Sequence, residues 1–288
     1  MGGPESGEGG EVVVLLAVLG AAVLHAAWNA MAHGVPDRLG GFALLGLSSG
    51  TCAIVAVTVT GLPPSNAWPY IVASVVLHIV YYSGLVASYN FGQFSQVYPL
   101  ARGTSPWVVA LVAILLLNQH LVRLELAGVL LISAGLIALV FIGGRPTRSQ
   151  APALLAAFGT GLVIAAYTVV DGIAVRKIPL ASYMGWTFTL QNLILILFVL
   201  WRRGFSFLRV EKRYLYAGLG GGLVSLAAYG LVLWAQTRGA LAAIAALRET
   251  SIIFGAIIGA LFFGERFGPK RAIAAAVVVV GILLLSLG

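Results

Sequence analysis

The sequence predicts an all-α integral membrane protein with ten transmembrane helices arranged as two inverted five-helix repeats. The prediction rests on a strongly apolar composition, ten apolar runs and two segments that match when the chain is shifted against itself. Of the 288 residues, 60% are hydrophobic and 9% are charged, and the mean hydropathy is +1.01. Soluble domains carry about 25% charged residues. The composition therefore indicates lipid as the surrounding solvent.

Ten apolar runs are bounded by Gly, Pro and charged residues, and each has about the 20 residues that a bilayer core requires. We predict helices over residues 11 to 33, 39 to 61, 67 to 90, 95 to 117, 123 to 143, 151 to 175, 181 to 201, 214 to 237, 241 to 263 and 269 to 287. The Gly-rich, acidic residues 1–10 are predicted as a disordered tail that precedes a retained first helix. The first repeat then covers 11–143, a linker loop 144–150, and the second repeat 151–288.

An internal match supports the duplication. A shift of 146 residues places Arg102-x-Thr-Ser on Arg248-x-Thr-Ser, and the same register aligns Gly135 with Gly281. A shift of 139 aligns the first predicted helix with the sixth. Because five is odd, the second copy enters the membrane from the opposite side, and inverted repeats of this kind are typical of transporters.

Several function classes lack support in the sequence. Cys52 is the single cysteine, so no disulfide forms within the chain. No HExxH, GxSxG or nucleotide-binding loop is present, and we predict no catalytic residue, metal site or cofactor. The net charge of +8 comes from short Lys and Arg clusters between the apolar runs, where such residues set membrane topology. A nucleic-acid partner is therefore not expected.

The distribution of positive charge predicts an orientation. Connections after the first, fifth, seventh and ninth helices carry Lys or Arg at 38, 145, 148, 202, 203, 209, 212, 213, 266, 270 and 271. The opposite side carries them only at 123, 176, 177 and 238. By the positive-inside rule the first set is cytoplasmic, and both termini lie outside.

Four charged residues lie within predicted helices away from the helix ends: Arg102, Asp171, Arg248 and Glu249. Each costs about 2.5 to 3.5 kcal/mol to insert, so each is expected to face a partner or an aqueous cavity. The matched arginines could bind an anionic carboxylate or phosphate from opposite sides. Alternatively, Glu249 or Asp171 neutralises them in a structural ion pair or gate, and both interpretations stay open.

Polar and aromatic side chains share helix faces with these charges. His25, Trp28 and Asn29 follow an i, i+3, i+4 spacing that places them on one face. The other candidates for lining a solute cavity are His78, Tyr82, Tyr98, Ser105, Tyr167, Tyr229 and Ser251. Ordinary helix packing is the alternative for aromatic stripes. Pro99 and Pro106 bracket Arg102, and since proline removes a helical hydrogen bond, they predict a bend or a gating point in the fourth helix.

The five-plus-five duplication, Pro106 and the phrase Gly264-Glu265-Arg266-Phe267 resemble the ten-helix EamA branch of the drug/metabolite transporter superfamily. The first half departs from the family pattern, with Asn118-Gln119 where Gly-Glu is expected, and Ile252 stands where the ninth helix often has proline. The resemblance covers essentially the whole chain.

This resemblance implies a multi-pass protein of the bacterial inner membrane that exports small metabolites. Paired guanidinium groups, carboxylates and aromatic rings together suit a zwitterion, which favours amino acids, including aromatic ones, as solutes. The alternative is a carrier for a phosphorylated or carboxylated metabolite or a drug-like compound. Expected partners are the solute and membrane lipid, and a monomer is plausible. The family pattern places both termini in the cytoplasm, opposite to the charge count, so the orientation stays open.

Overall fold

The computed structural model describes residues 5–33, 35, 37–91, 94–141, 147–263 and 268–287. In these ranges every regular element is helical. The α-helices are α1 (Glu5–His33), α2 (Arg38–Thr60), α3 (Trp68–Phe91), α4 (Phe94–Leu117), α5 (Arg123–Ala138), α6 (Ala151–Ala174), α7 (Leu180–Arg203), α8 (Lys212–Gln236), α9 (Leu241–Arg248), α10 (Ser251–Phe263) and α11 (Pro269–Ser286). Four short 3-10 helices lie in the connections or at helix ends, at Ser65–Ala67, Leu139–Phe141, Arg148–Gln150 and Gly204–Leu208.

The helices confirm the membrane-spanning prediction. Within the described ranges, nine segments are long and apolar enough to cross a bilayer, and the apolar stretch Ala272–Ser286 is a shorter tenth. In the structure α1 begins at Glu5, within the segment 1–10 that the sequence predicts as a tail. Residues 1–4, much of the predicted linker and the phrase at 264–267 lie outside the described residues.

The ninth apolar run is two helices instead of the single one predicted. It is interrupted at Glu249 and Thr250, whose backbone N–H groups donate three residues back, to Ala246 and Leu247, at 3.1 Å each. The Thr250 hydroxyl also donates to the Leu247 carbonyl at 2.6 Å. A hydroxyl bonded to a nearby carbonyl competes with the helical ladder and bends it. Proline is therefore not required for this break, whereas α4 remains one helix although it contains Pro99 and Pro106.

Helices of the two chain halves pack against each other rather than forming two separate bundles. The principal pairs are α1 with α8, α3 with α6, α2 with α7, α4 with α6, and α5 with α11. In the two halves α1 corresponds to α6, α2 to α7, α3 to α8 and α5 to α11. When corresponding helices are exchanged, the α1–α8 pair becomes the α3–α6 pair, and the α2–α7 and α5–α11 pairs are unchanged. The core of the molecule is thus a shared interface between the halves, and the candidate site lies in this interface.

The α5–α11 pair crosses at very short range. A Cβ atom on Gly128 would lie 2.7 Å from the Gly281 carbonyl oxygen, and one on Gly281 would lie 3.0 Å from the Gly128 carbonyl oxygen. On the opposite side of the crossing, a Cβ on Gly135 would lie 3.4 Å from the Ala274 carbonyl oxygen. These contacts correspond under the 146-residue shift, which places Gly135 on Gly281 and Gly128 on Ala274. Small residues allow this close backbone approach in membranes.

We expect Gly128→Val to destabilise the protein, because the new side chain meets backbone atoms that cannot move aside as a flexible side chain can. Overpacking of this kind costs about 1 to 3 kcal/mol. Thermal unfolding of the purified protein in detergent measures the loss. Gly20→Ala is the matched control, since a Cβ there has no neighbour within 4 Å. Equal melting temperatures for the two variants would contradict the close crossing.

Three connections, α4–α5, α6–α7 and α8–α9, are tied together by polar contacts on one side of the bundle. Asn118 follows α4 with φ 50°, a left-handed conformation that asparagine adopts more easily than most residues, and Gln119 Oε1 accepts the backbone N–H of Leu241 at 3.3 Å. Arg176 donates to the carbonyls of Gln236 and Gly239 at 2.9 and 2.7 Å. Partial burial lowers the pKa of Arg176 from its usual value, but a guanidinium keeps its charge at neutral pH.

Candidate functional site

The centre of the candidate site is a buried carboxylate between two buried arginines. Glu249 Oε2 lies 2.5 Å from Arg102 Nε, whereas Glu249 Oε1 lies 3.2 and 3.3 Å from Nη2 and Nε of Arg248. Arg102 and Arg248 are 3% and 4% exposed and Glu249 is 0% exposed. We call these three residues the charged triad. It joins the chain halves, because Arg102 belongs to α4 and the other two lie at the α9–α10 break.

A close helix contact positions Arg102. Gly161 of α6 faces α4, where a Cβ would lie 2.7 Å from the Ala101 carbonyl oxygen. The Arg102 guanidinium lies 5.7 Å from the centre of the Tyr98 ring and donates from Nη2 to the Ser251 hydroxyl at 3.1 Å. The predicted residues Tyr98, Arg102 and Ser251 therefore meet at one point.

His25 of α1 borders the triad on its other side. Trp28 Nε1 donates to His25 Nδ1 at 3.3 Å, and an indole nitrogen is only a donor. A neutral His25 that accepts at Nδ1 carries its proton on Nε2, and this atom lies 3.4 Å from Arg102 Nη2. In this tautomer two donors face each other, whereas in the other tautomer Nε2 accepts a hydrogen bond from Arg102 Nη2. Asn29 donates its side-chain amide to the His25 carbonyl at 2.7 Å, within the same helix.

An aromatic layer connects the triad to the next polar group. The Arg248 guanidinium lies 5.8 Å from the centre of the Tyr167 ring, and the His78 imidazole is stacked on the same ring with centroids 4.2 Å apart. Tyr167 and His78 are both buried. His78 Nδ1 donates to the Ser74 carbonyl at 2.8 Å, which fixes the ring along α3.

Asp171 lies beyond this layer and accepts two tyrosine hydroxyls. Tyr183 of α7 donates to Oδ1 at 2.6 Å, and Tyr229 of α8 donates to Oδ2. The Tyr229 hydroxyl is also 3.4 Å from His78 Nε2, so the contacts run without interruption from His25 to Asp171. Asp171 is 1% exposed, and among the described residues no cation lies within ion-pair distance of it.

Some predicted residues lie outside this chain of contacts. Tyr82 is 39% exposed, and its ring faces Phe42 while its hydroxyl lies 3.5 Å from Gln191 Nε2. Ser105 is buried on α4, three residues after Arg102, but its hydroxyl finds no hydrogen-bond partner among the described residues. Pro99 and Pro106 are buried within α4.

Two contributing tyrosines were absent from the predicted set. Tyr81 packs between Tyr82 and Tyr167, with ring centroids 5.0 and 5.8 Å away. Tyr183 is the partner of Asp171. The sequence did contain a signal for the contact between Asp171 and Tyr183. Both residues are close to the short α6–α7 connection, and antiparallel neighbouring helices bring such positions together. The described residues contain no group of three His, Cys, Asp or Glu side chains suited to a metal ion.

The comparisons with known proteins agree with this architecture. Residues 151–287 match the EamA-like transporter family. The second half of the chain is therefore similar to this family. The match covers the half that carries the Gly264–Phe267 phrase, and the half with Asn118-Gln119 lies outside it. No curated protein matches the sequence.

The fold of nearly the whole chain, and not only of residues 151–287, resembles that of another protein whose crystal structure has been solved. That structure shares a TM-score of 0.75 and 21% sequence identity with this chain, and the alignment covers 96% of this chain and 98% of the other. At this identity the likeness shows the fold. The match of residues 151–287 to the EamA-like transporter family and the apolar helices together support a multi-pass membrane protein.

Proposed function

We propose that the protein exports small zwitterionic metabolites, above all amino acids including aromatic ones, across the bacterial inner membrane. One observation carries this proposal: two centres of opposite charge lie on either side of a buried aromatic layer. Arg102 and Arg248 share a single carboxylate and leave a surplus positive charge, while Asp171 supplies a negative charge beyond Tyr167 and His78. An α-carboxylate suits the first centre and an ammonium group the second. Because both groups of an α-amino acid are bonded to one carbon, a solute binds both centres at once only after Tyr167 and His78 move apart. The direction of transport follows from the resemblance to exporters.

Alternating access between two inverted five-helix halves is the proposed mechanism. The matched Arg102 and Arg248 segments support it, as do helix pairs that interchange when the halves are exchanged. Transporters with inverted repeats hold the solute at the repeat interface, often beside interrupted helices. The α9–α10 break at Glu249 and Thr250 has this position.

Counterflow in proteoliposomes tests the proposal. Vesicles containing the purified protein are loaded with an unlabelled amino acid, and the uptake of the same labelled amino acid is followed across a panel of side chains. A carrier accumulates label transiently, whereas a channel does not. The proposal predicts accumulation for at least one aromatic amino acid. If the entire panel fails in folded, reconstituted protein, the amino-acid proposal is wrong.

An anionic solute is the second candidate, because two guanidinium groups share one carboxylate in the triad. A phosphorylated or carboxylated metabolite would balance this surplus charge as well. Competition separates the candidates. Amino-acid methyl esters should compete for a site that also binds ammonium, whereas phosphate esters should compete only for an anion site.

A further inference from the structure

Glu249 divides its two oxygens between two arginines that play corresponding roles in the chain halves. Oε2 contacts Arg102 at 2.5 Å, and Oε1 contacts Arg248 through two nitrogens at 3.2 and 3.3 Å. Arg248 therefore keeps a complete partner in Oε1 even when Oε2 is removed from Arg102. The Arg102 contact is the one that can be exchanged without leaving Arg248 unpaired.

The first half has no second carboxylate to match Glu249. The 146-residue shift places Gly103 on Glu249, and a Cβ at Gly103 would lie 2.9 Å from Ile137 Cγ1 and 3.0 Å from the Ser133 carbonyl oxygen. Packing against α5 thus excludes a glutamate there. Among the described residues, no other carboxylate lies within ion-pair distance of Arg102 or Arg248. Because a buried charge without a partner is costly, the site is suited to one additional anion.

Two further features suit that anion to Arg102. His25 Nε2 lies 3.4 Å from Arg102 Nη2, and in the tautomer that accepts from Trp28 both atoms are donors, so a carboxylate oxygen placed against both would satisfy both. Glu249 also stands at the α9–α10 break, where the backbone bonds are of the three-residue type, whereas Arg102 stands on the uninterrupted α4. A stretch of three-residue bonds within a helical run often marks a functional hinge.

We infer that the Glu249 carboxylate occupies the place of the solute's carboxylate at Arg102 and is displaced from it when solute binds. This inference rests on the proposed function. After the exchange, Arg102 pairs with the solute carboxylate, Arg248 keeps Glu249, and Asp171 pairs with the solute ammonium. Every buried charge then has one partner. A solute carrying both charges satisfies the site completely, which makes Glu249 a residue that determines specificity by competing with the solute.

Binding of three related probes tests the inference: L-phenylalanine, N-acetyl-L-phenylalanine, which lacks the ammonium, and L-phenylalanine methyl ester, which lacks the carboxylate. Glu249→Gln removes the internal competitor. We expect the Kd of both carboxylate-bearing probes to fall by about 10-fold or more, since charged hydrogen bonds differ from neutral ones by this order, and the Kd of the ester not to fall. Unchanged or raised Kd values for both carboxylate-bearing probes would overturn the inference and leave Glu249 as a structural counter-ion.

Two controls keep the result interpretable. Glu211→Gln removes a surface carboxylate that lies 2.8 Å from Arg213 Nε and should change no Kd. The double variant Arg248→Gln/Glu249→Gln keeps the net charge of the wild-type triad if the single variant fails to fold. It should show the same tightening for carboxylate-bearing probes, and its failure to do so would equally overturn the inference.

A second measurement does not depend on amino acids as solutes. In Glu249→Ala, sodium acetate can fill the vacated position, and we expect it to raise the melting temperature by about 3 °C or more, with a smaller rise for wild type and none with acetamide. Acetate stabilisation together with no amino-acid binding in wild type would refute the proposed substrate class and preserve the internal carboxylate site. Amino-acid binding without acetate stabilisation or tightening would refute the inference and preserve the proposed function.

Discussion

Arg102→Ala is expected to reduce solute transport by at least about 100-fold and to lower the free energy of unfolding by about 3 to 5 kcal/mol. The side chain is 3% exposed and holds one oxygen of Glu249, so its removal leaves that oxygen in the membrane interior without its closest cation. It also removes the group that we assign to the solute carboxylate. Counterflow measures the first effect, and thermal unfolding in detergent measures the second.

The structure supplies a matched surface control for this prediction. Arg213 faces Glu211 through the same pair of atoms, Nε and Oε2, at 2.8 Å, but both side chains are about two-thirds exposed. Surface ion pairs contribute about 0 to 1 kcal/mol. Arg213→Ala should therefore leave the free energy of unfolding and the rate of transport close to the wild-type values. If the two variants behave alike, burial does not give the triad its importance.

Stability and solute binding can be separated at this site. The double variant Arg102→Gln/Glu249→Gln removes one cation and one anion together, so no new unpaired charge remains. We expect it to recover most of the stability lost in Arg102→Ala, because the free-energy effects of substitutions at two residues in contact are not additive. Transport should stay low, since the solute carboxylate still lacks Arg102. Recovery of transport along with stability would show that Arg102 has only a structural role.

The spans and the paired arginines could be predicted from the sequence for clear physical reasons. Apolar runs of membrane length must form helices, because backbone groups in lipid require internal hydrogen bonds. The shared Arg-x-Thr-Ser register predicts that corresponding side chains approach each other at the interface between two related halves. The structure brings Arg102 and Arg248 to the same carboxylate as that register suggests.

Other features depend on packing that a single sequence does not encode locally. The break at Glu249 occurs without proline, whereas the proline-containing α4 is uninterrupted, so a helix break does not follow from residue type alone. Tyr183, which donates to Asp171, is absent from the predicted set because a tyrosine near a helix end is more often an interfacial anchor. Tyr82 was included because it shares a sequence stripe with His78, yet it lies on a more exposed surface.

Asp171→Asn is expected to reduce transport of zwitterionic solutes by about 100-fold or more, because the ammonium group loses its charged partner. The effect on stability should be smaller. An asparagine side chain has one acceptor oxygen where the aspartate had two, so it keeps one of the tyrosine hydroxyl bonds and weakens the other. Loss of a hydrogen bond to a charged group costs about 1.5 to 3 kcal/mol.

Comparison with Tyr183→Phe isolates the role of the charge. That variant removes the donor at 2.6 Å from Oδ1 but keeps the carboxylate, so it should destabilise the protein to a similar extent while lowering transport by less than about 10-fold. The probes respond differently as well. Asp171→Asn should weaken binding of L-phenylalanine and its methyl ester and leave binding of N-acetyl-L-phenylalanine unchanged. At Glu249, by contrast, the substitution should tighten binding of L-phenylalanine and N-acetyl-L-phenylalanine and not that of the ester. Equal weakening of all three probes would mean that Asp171 supports the fold without contacting the solute's ammonium group.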